Sequence, residues 1–181
     1  MKITLVIFAV LYLIPVTSNT STCDAGIGKT VNNVQLRNAD DVAMSIPHFG
    51  QKVLAVFYND PDAKDVNNPL SDAIKERKFP KEKYTGIGIA NCADTWLPNS
   101  VIRYAAREKE KKYPGAVILI DDDHILSKAW ELPNGDDKAY IVIIGKDLKI
   151  KYIKLVKNQE ESKAIIQAVI AVLDAEIAKI N

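Results

Sequence analysis

Apolar and polar positions alternate along the chain in blocks that predict a succession of strands and helices. Lys52 to Tyr58 (KVLAVFY) is a β-branched and aromatic run of strand length, closed by the turn residues Asn59-Asp60-Pro61-Asp62. Beyond it, Leu70, Ala73 and Ile74 fall on one side of a predicted helix, with Glu76 to Lys78 near its end and Phe79-Pro80 as its stop. Tyr84 to Ala90 (YTGIGIA) predicts a second buried strand, weakened by two glycines. Asn91 to Asn99 reads as a loop, and a helix starts near Pro98 to Ser100. Val101, Ile102, Ala105 and Ala106 give that helix an apolar stripe, and Pro114 ends it.

Ala116 to Ile120 (AVILI) is a third apolar run, followed by Asp121-Asp122-Asp123, which reads as an exposed acidic turn. Ile125 to Trp130 is a short strand or helix. Tyr140 to Ile144 and Lys149 to Lys154 form a hairpin, and the alternation of the second half places it near a sheet edge. Val34-Gln35-Leu36 is a short strand. A single long helix closes the chain, with Asn158 as cap, Glu161 three residues on, and a broad apolar face from Ile165 to Ile180. Strands alternating with helices require a parallel or mixed sheet covered by helices on both faces. The expected architecture is a three-layer α/β sandwich.

The N-terminus breaks this pattern. Lys2 is followed by an apolar run from Ile3 to Ile14 that only Thr4 interrupts, then by Pro15 and the small residues Val16-Thr17-Ser18. Residues 1–18 therefore read as a secretory signal peptide, since the run is shorter than the roughly 20 apolar residues that span a bilayer. Residues 19–32 read as a flexible polar arm and 33–181 as one folded domain. The expected location is the periplasm, with no stable membrane insertion after cleavage.

The 24 basic residues nearly balance 23 acidic ones, so no basic footprint for nucleic acid exists in the net charge. Cys23 and Cys92 are the two cysteines, and they form no CxxC motif. In an oxidising compartment they either join in one disulfide or remain free, and geometry decides which. His48 and His124 lack a second ligand at zinc spacing, and no G-x-S-x-G elbow or phosphate loop is present. No cofactor is called for.

The order of elements is also that of thioredoxins and peroxiredoxins. Val53 to Pro61 (VLAVFYNDP) resembles the strand that leads a thioredoxin into its redox site, and Tyr140 to Ile153 resembles the late hairpin of peroxiredoxins. Lys112-Tyr113-Pro114, Ala129 to Leu132, the Gly145-Lys146-Asp147 turn and Gln159-Glu160-Glu161 are similar to features of the YtfJ family of bacterial periplasmic proteins. The resemblance implies a thioredoxin-like three-layer sandwich, a central mixed sheet flanked by helices. It also places the superfamily's redox cysteines at Asp62 and Asp65, and its cis-proline near Ala139. A carboxylate cannot attack sulfur as a thiolate does. Residues 59–70 hold no peroxidatic cysteine either.

Two uses remain for the acids. Asp62 and Asp65 could cap the helix that follows, where its free N–H groups favour negative charge. Alternatively, Asp60, Asp62 and Asp65 could hold a divalent cation or a basic ligand through oxygen. The sequence thus predicts an exported, non-catalytic binding or accessory protein whose partner is an envelope protein or a small ligand. Its alternatives are a thiol-dependent protein using Cys92 and a metal-assisted hydrolase using the Asp cluster.

Overall fold

The computed structural model describes residues 26–93, 95–113, 115–133 and 137–180. The expected signal peptide and Cys23 lie outside the described residues. In chain order the elements are β1 (Gln35–Asn38), β2 (Ala43–Ser45), β3 (Val53–Asn59), α1 (Asn68–Arg77), β4 (Tyr84–Asn91) and α2 (Asn99–Lys112). Then follow β5 (Val117–Asp121), α3 (Ile125–Trp130), β6 (Ala139–Ile144), β7 (Ile150–Val156), α4 (Gln159–Ala164) and α5 (Ile166–Ala178).

Seven strands form one mixed sheet in the order β2-β1-β5-β4-β3-β6-β7. β3, β4 and β5 are parallel neighbours, as their two helical crossovers require. β6 is antiparallel to β3 and β7 to β6, which leaves β7 at an edge, as its alternation predicts.

Period-2 alternation divides the core into two layers. On one face, Leu54, Val56, Ile87, Ile89, Leu119 and Val142 pack against Trp130, Leu126 and Ile46. Trp130 is 1% exposed, and its indole N–H donates to the Asn32 carbonyl at 2.9 Å, so its polar tip is satisfied. On the other face, Val53, Ala55, Ile141 and Ile143 meet Leu70 and Ile74 of α1 and Val169, Leu173 and Ile177 of α5. α2 sits beside them, with Ile102 against Ile120 and Cys92.

Two expectations change and one strand is added. Residues 26–32 are tied to the domain, whereas the sequence suggested a flexible arm over 19–32. Gly28 N–H donates to the Ile150 carbonyl at 2.8 Å and Val31 N–H to the Leu148 carbonyl at 2.9 Å, and the Val31 side chain is buried. The closing helix is two helices meeting at Ile165. The Asn158 cap is present, with Glu161 N–H donating to its Oδ1 at 2.9 Å. The return bond from Glu161 goes to the Lys157 N–H, one residue before the cap. Finally, β2 follows a turn in which the Asn38 carboxamide accepts from the N–H groups of Asp40 and Val42. That local side-chain bonding is what reverses the chain between β1 and β2.

Candidate functional site

Parallel strands end together, so the residues just past β3, β4 and β5 meet at one edge of the sheet. These are Asp60, Cys92 and Asp122, and the chain entering β6 completes the edge. Asn59 lies opposite Ala139, and the Asp60 N–H donates to the Lys138 carbonyl at 3.0 Å. Asp62 and the start of β6 therefore converge, at the place where the superfamily sets its thiols against a cis-proline. No peptide bond is cis among the described residues.

Asp60 is 3% exposed, and its Oδ1 accepts the Asp62 N–H at 2.8 Å. This bond turns the backbone and brings the exposed Asp62 carboxylate back toward Asp60. Asp137 joins them: one carboxylate oxygen from each of Asp60, Asp62 and Asp137 lies within 4.8 Å of the others. These three could supply part of an all-oxygen shell for calcium or magnesium, which complete theirs with waters or carbonyls.

Asp65 is not in that group, although the sequence placed it there. Its Oδ1 accepts from the Asn68 carboxamide at 3.0 Å, and its carbonyl accepts from Gln159 Nε2 at 3.2 Å, linking the starts of α1 and α4. The expected capping by Asp62 and Asp65 is also absent. Successive turns occupy residues 62–67, α1 starts at Asn68, no acid lies in its first turn, and Asn67 stands at its cap. Asn67 uses its carboxamide N–H to reach Asn59 Oδ1 at 3.1 Å instead.

Cys92 is 8% exposed and packs against Ile102 and Ile120. Burial, followed by the nearby carboxylates of Asp122, Asp121 and Asp60, pushes its thiol up to about 12. A thiol held neutral in this way is a poor nucleophile at physiological pH.

Asp121 is fully buried, where the sequence suggested an exposed turn. Its carboxylate accepts the Ile125 N–H at 2.7 Å, the Leu126 N–H at 2.9 Å and the Tyr58 hydroxyl at 3.2 Å. It holds the first turn of α3 onto the strand ends. Burial, with Asp121 contributing, holds the Tyr58 phenol well above its ordinary range. Sequence reasoning missed both Asp137 and the Tyr58–Asp121 pair. The available signal was an acid directly ending a wholly apolar strand, which is where an α/β sheet gathers its polar groups.

The fold is thioredoxin-like, and this edge carries carboxylates where the resemblance places thiols. Solved structures agree on the fold. The peroxiredoxin-like protein of Aquifex aeolicus superposes with a TM-score of 0.56 at 12% identity, covering 81% of this chain and 86% of that one. The thioredoxin domain of a thiol-disulfide oxidoreductase from Bacteroides vulgatus gives 0.53 at 13% identity, covering 79% and 96%. Residues 51–176 match the family described as "Bacterial protein of unknown function (YtfJ_HI0045)", and the chain belongs to that family. The uncharacterized protein YtfJ of Escherichia coli is 28% identical over 105 residues, which are 57% of this chain and 55% of that protein. The chain thus spans little more than half the length of that relative.

Proposed function

We propose that this protein is an exported, periplasmic thioredoxin-fold module that binds a partner at its sheet edge and does not exchange disulfides. One observation carries the reading. The resemblance sets the thiol pair's positions at Asp62 and Asp65, and the described cysteine is held protonated by burial, with nearby carboxylates adding to it. Thiol–disulfide exchange starts from an accessible thiolate, which this edge does not supply. Export is supported by Lys2, the apolar run to Ile14 and the small residues that follow. Among the described residues no helix is long and apolar enough to cross a membrane. The partner is an envelope protein or a small ligand, and the near-neutral chain offers little to nucleic acid.

The Asp60, Asp62 and Asp137 group favours a second reading, in which the edge holds a divalent cation. Metal analysis of purified protein, with calcium and magnesium titrations of the wild type and of Asp62→Asn, separates the two. Stoichiometric binding lost in the variant supports the cation. Heat-free titrations leave the edge to an organic partner. The first reading is tested by fractionating cells that express the full chain. Recovery in the periplasmic fraction, shortened at the N-terminus, is expected. Full-length protein in the cytoplasm would contradict it.

A further inference from the structure

The middle strand of the sheet is open on one face. Ile87, Ile89 and Asn91 of β4 are buried, whereas Gly86, Gly88 and Ala90 on the helical face are only half-buried. Central parallel strands are normally covered on both faces. Here α1 and α2 leave between them a groove of about 1310 Å³, larger than the roughly 300–1,000 Å³ of most small-molecule pockets. Its floor includes Gly88, Ala90 and Ile118. A Cβ on Gly88 would fall 2.4 Å from Ile118 Cδ1, so the glycine lets Ile118 lie flat across the floor. The two glycines that weaken this strand in the sequence thus keep the floor low.

The chemistry of the groove narrows its occupant. β4 is paired with β3 along one edge and β5 along the other, so the floor presents almost no unpaired backbone groups. An extended peptide would find no strand edge to join. What the floor offers is carbon surface. The walls are cationic: seven lysines line the groove against three carboxylates. Among the described residues, Lys64, Lys75, Lys109 and Lys112 take part in no ion pair. Lys109 reaches from α2 to the segment preceding α1, donating to the Lys64 carbonyl at 2.7 Å, and desolvation pulls its ammonium below the ordinary lysine range. An anion arriving there would meet a cation already stripped of much of its water.

We propose that this groove binds a long-chain monoacyl anion, its chain laid over the open face of β4 and its head held by the lysines of the walls. The groove adjoins the carboxylate edge at Asp60 and Pro61, with Asp65 also in its lining, but the proposal requires nothing to be bound at that edge.

The test is titration of the full exported chain with hexadecanoate below its micellar concentration, read by calorimetry or by displacement of a dansylated fatty acid. Saturable one-to-one binding is expected. Ala105→Trp, at an exposed α2 position lining the groove, fills it from the rim and should weaken binding at least about tenfold. Ser71→Trp fills it from α1 and serves if the first variant fails to fold. Lys109→Gln with Lys112→Gln should weaken hexadecanoate by about tenfold and leave hexadecanol unchanged. The proposal is overturned if the folded wild type shows no saturable binding, or if neither tryptophan variant alters it. It is equally overturned if hexadecanol binds as tightly as hexadecanoate, or if only anionic vesicles bind.

Discussion

The backbone N–H of Asp60 donates to the carbonyl of Lys138 at 3.0 Å, fastening the end of β3 to the chain that enters β6. This contact sets the Asp62 carboxylate beside Asp137. It joins the end of β3 to the start of β6, where the resemblance sets thiols against a cis-proline.

Asp121 gives the edge its rigidity. Truncating it to alanine would leave two α3 amides unpartnered in a dry site and remove the carboxylate acceptor of the Tyr58 hydroxyl. Asp121→Ala should lower unfolding free energy by about 3 kcal/mol, and Tyr58→Phe by about 1 kcal/mol. Urea denaturation followed by circular dichroism checks both values. Equal, small effects would mean that the buried carboxylate does not organise α3.

The mutual repulsion of three clustered carboxylates should show as a salt effect. Asp137 is exposed and lies close to Asp60 and Asp62. Asp137→Asn should raise stability by about 0.5 kcal/mol at low ionic strength, and the gain should shrink markedly near 1 M salt, where the Debye length falls to about 3 Å. Destabilisation at low salt would show that Asp137 serves the fold through some other contact.

Cys92 predicts an alkaline signature. Its folded-state value, about 12, lies above the ordinary 9.0. The unfolded chain therefore loses the thiol proton first as pH rises. The contribution of Cys92 to stability is complete below pH 9, declines above it, and is exhausted once pH passes about 12. Cys92→Ala should make stability fall less steeply with pH above 9, by up to one proton's worth of slope. Tyr84 and Tyr152, raised by burial alone, contribute equally to both proteins and cancel, whereas Tyr58 is raised in small part by Cys92 and changes slightly with it. Identical slopes would place the thiol in a more polar setting than the fold shows.

The Asn158 cap is a local test of the C-terminal pair of helices. Asn158→Ala removes the acceptor for the Glu161 N–H and should cost about 1 kcal/mol. Asn158→Asp should restore most of it. A loss below 0.3 kcal/mol would mean that tertiary packing of α5 alone holds this end.

Much of the fold is legible in residue order because periodicity and strand length report burial directly. KVLAVFY, YTGIGIA, AVILI and YIVII are strands in fact as in pattern, although YTGIGIA is buried on one face only, and the Asn158 cap is where its side chain predicts. The site is less legible, because carboxylates that share one residue type play three different parts. Asp121 ends an apolar strand and is buried by the return of α3, a long-range event that the acidic run does not encode. Asp65 looks like a partner of Asp62 but turns to Asn68, since the turns over residues 62–67 delay α1 until Asn68. Asp137 joins the group through the pairing of β3 with β6, which sequence spacing cannot show. The groove is legible only as a weakness, two glycines in a strand, because its opening depends on how far apart two helices stand.

The central claim is that this scaffold no longer performs chemistry at sulfur, and insulin reduction measures that directly. The exported protein, assayed with dithiothreitol as electron source, should precipitate insulin no faster than dithiothreitol alone. Cys92→Ser should leave that rate unchanged. Turnover above background that Cys92→Ser abolishes would contradict the account.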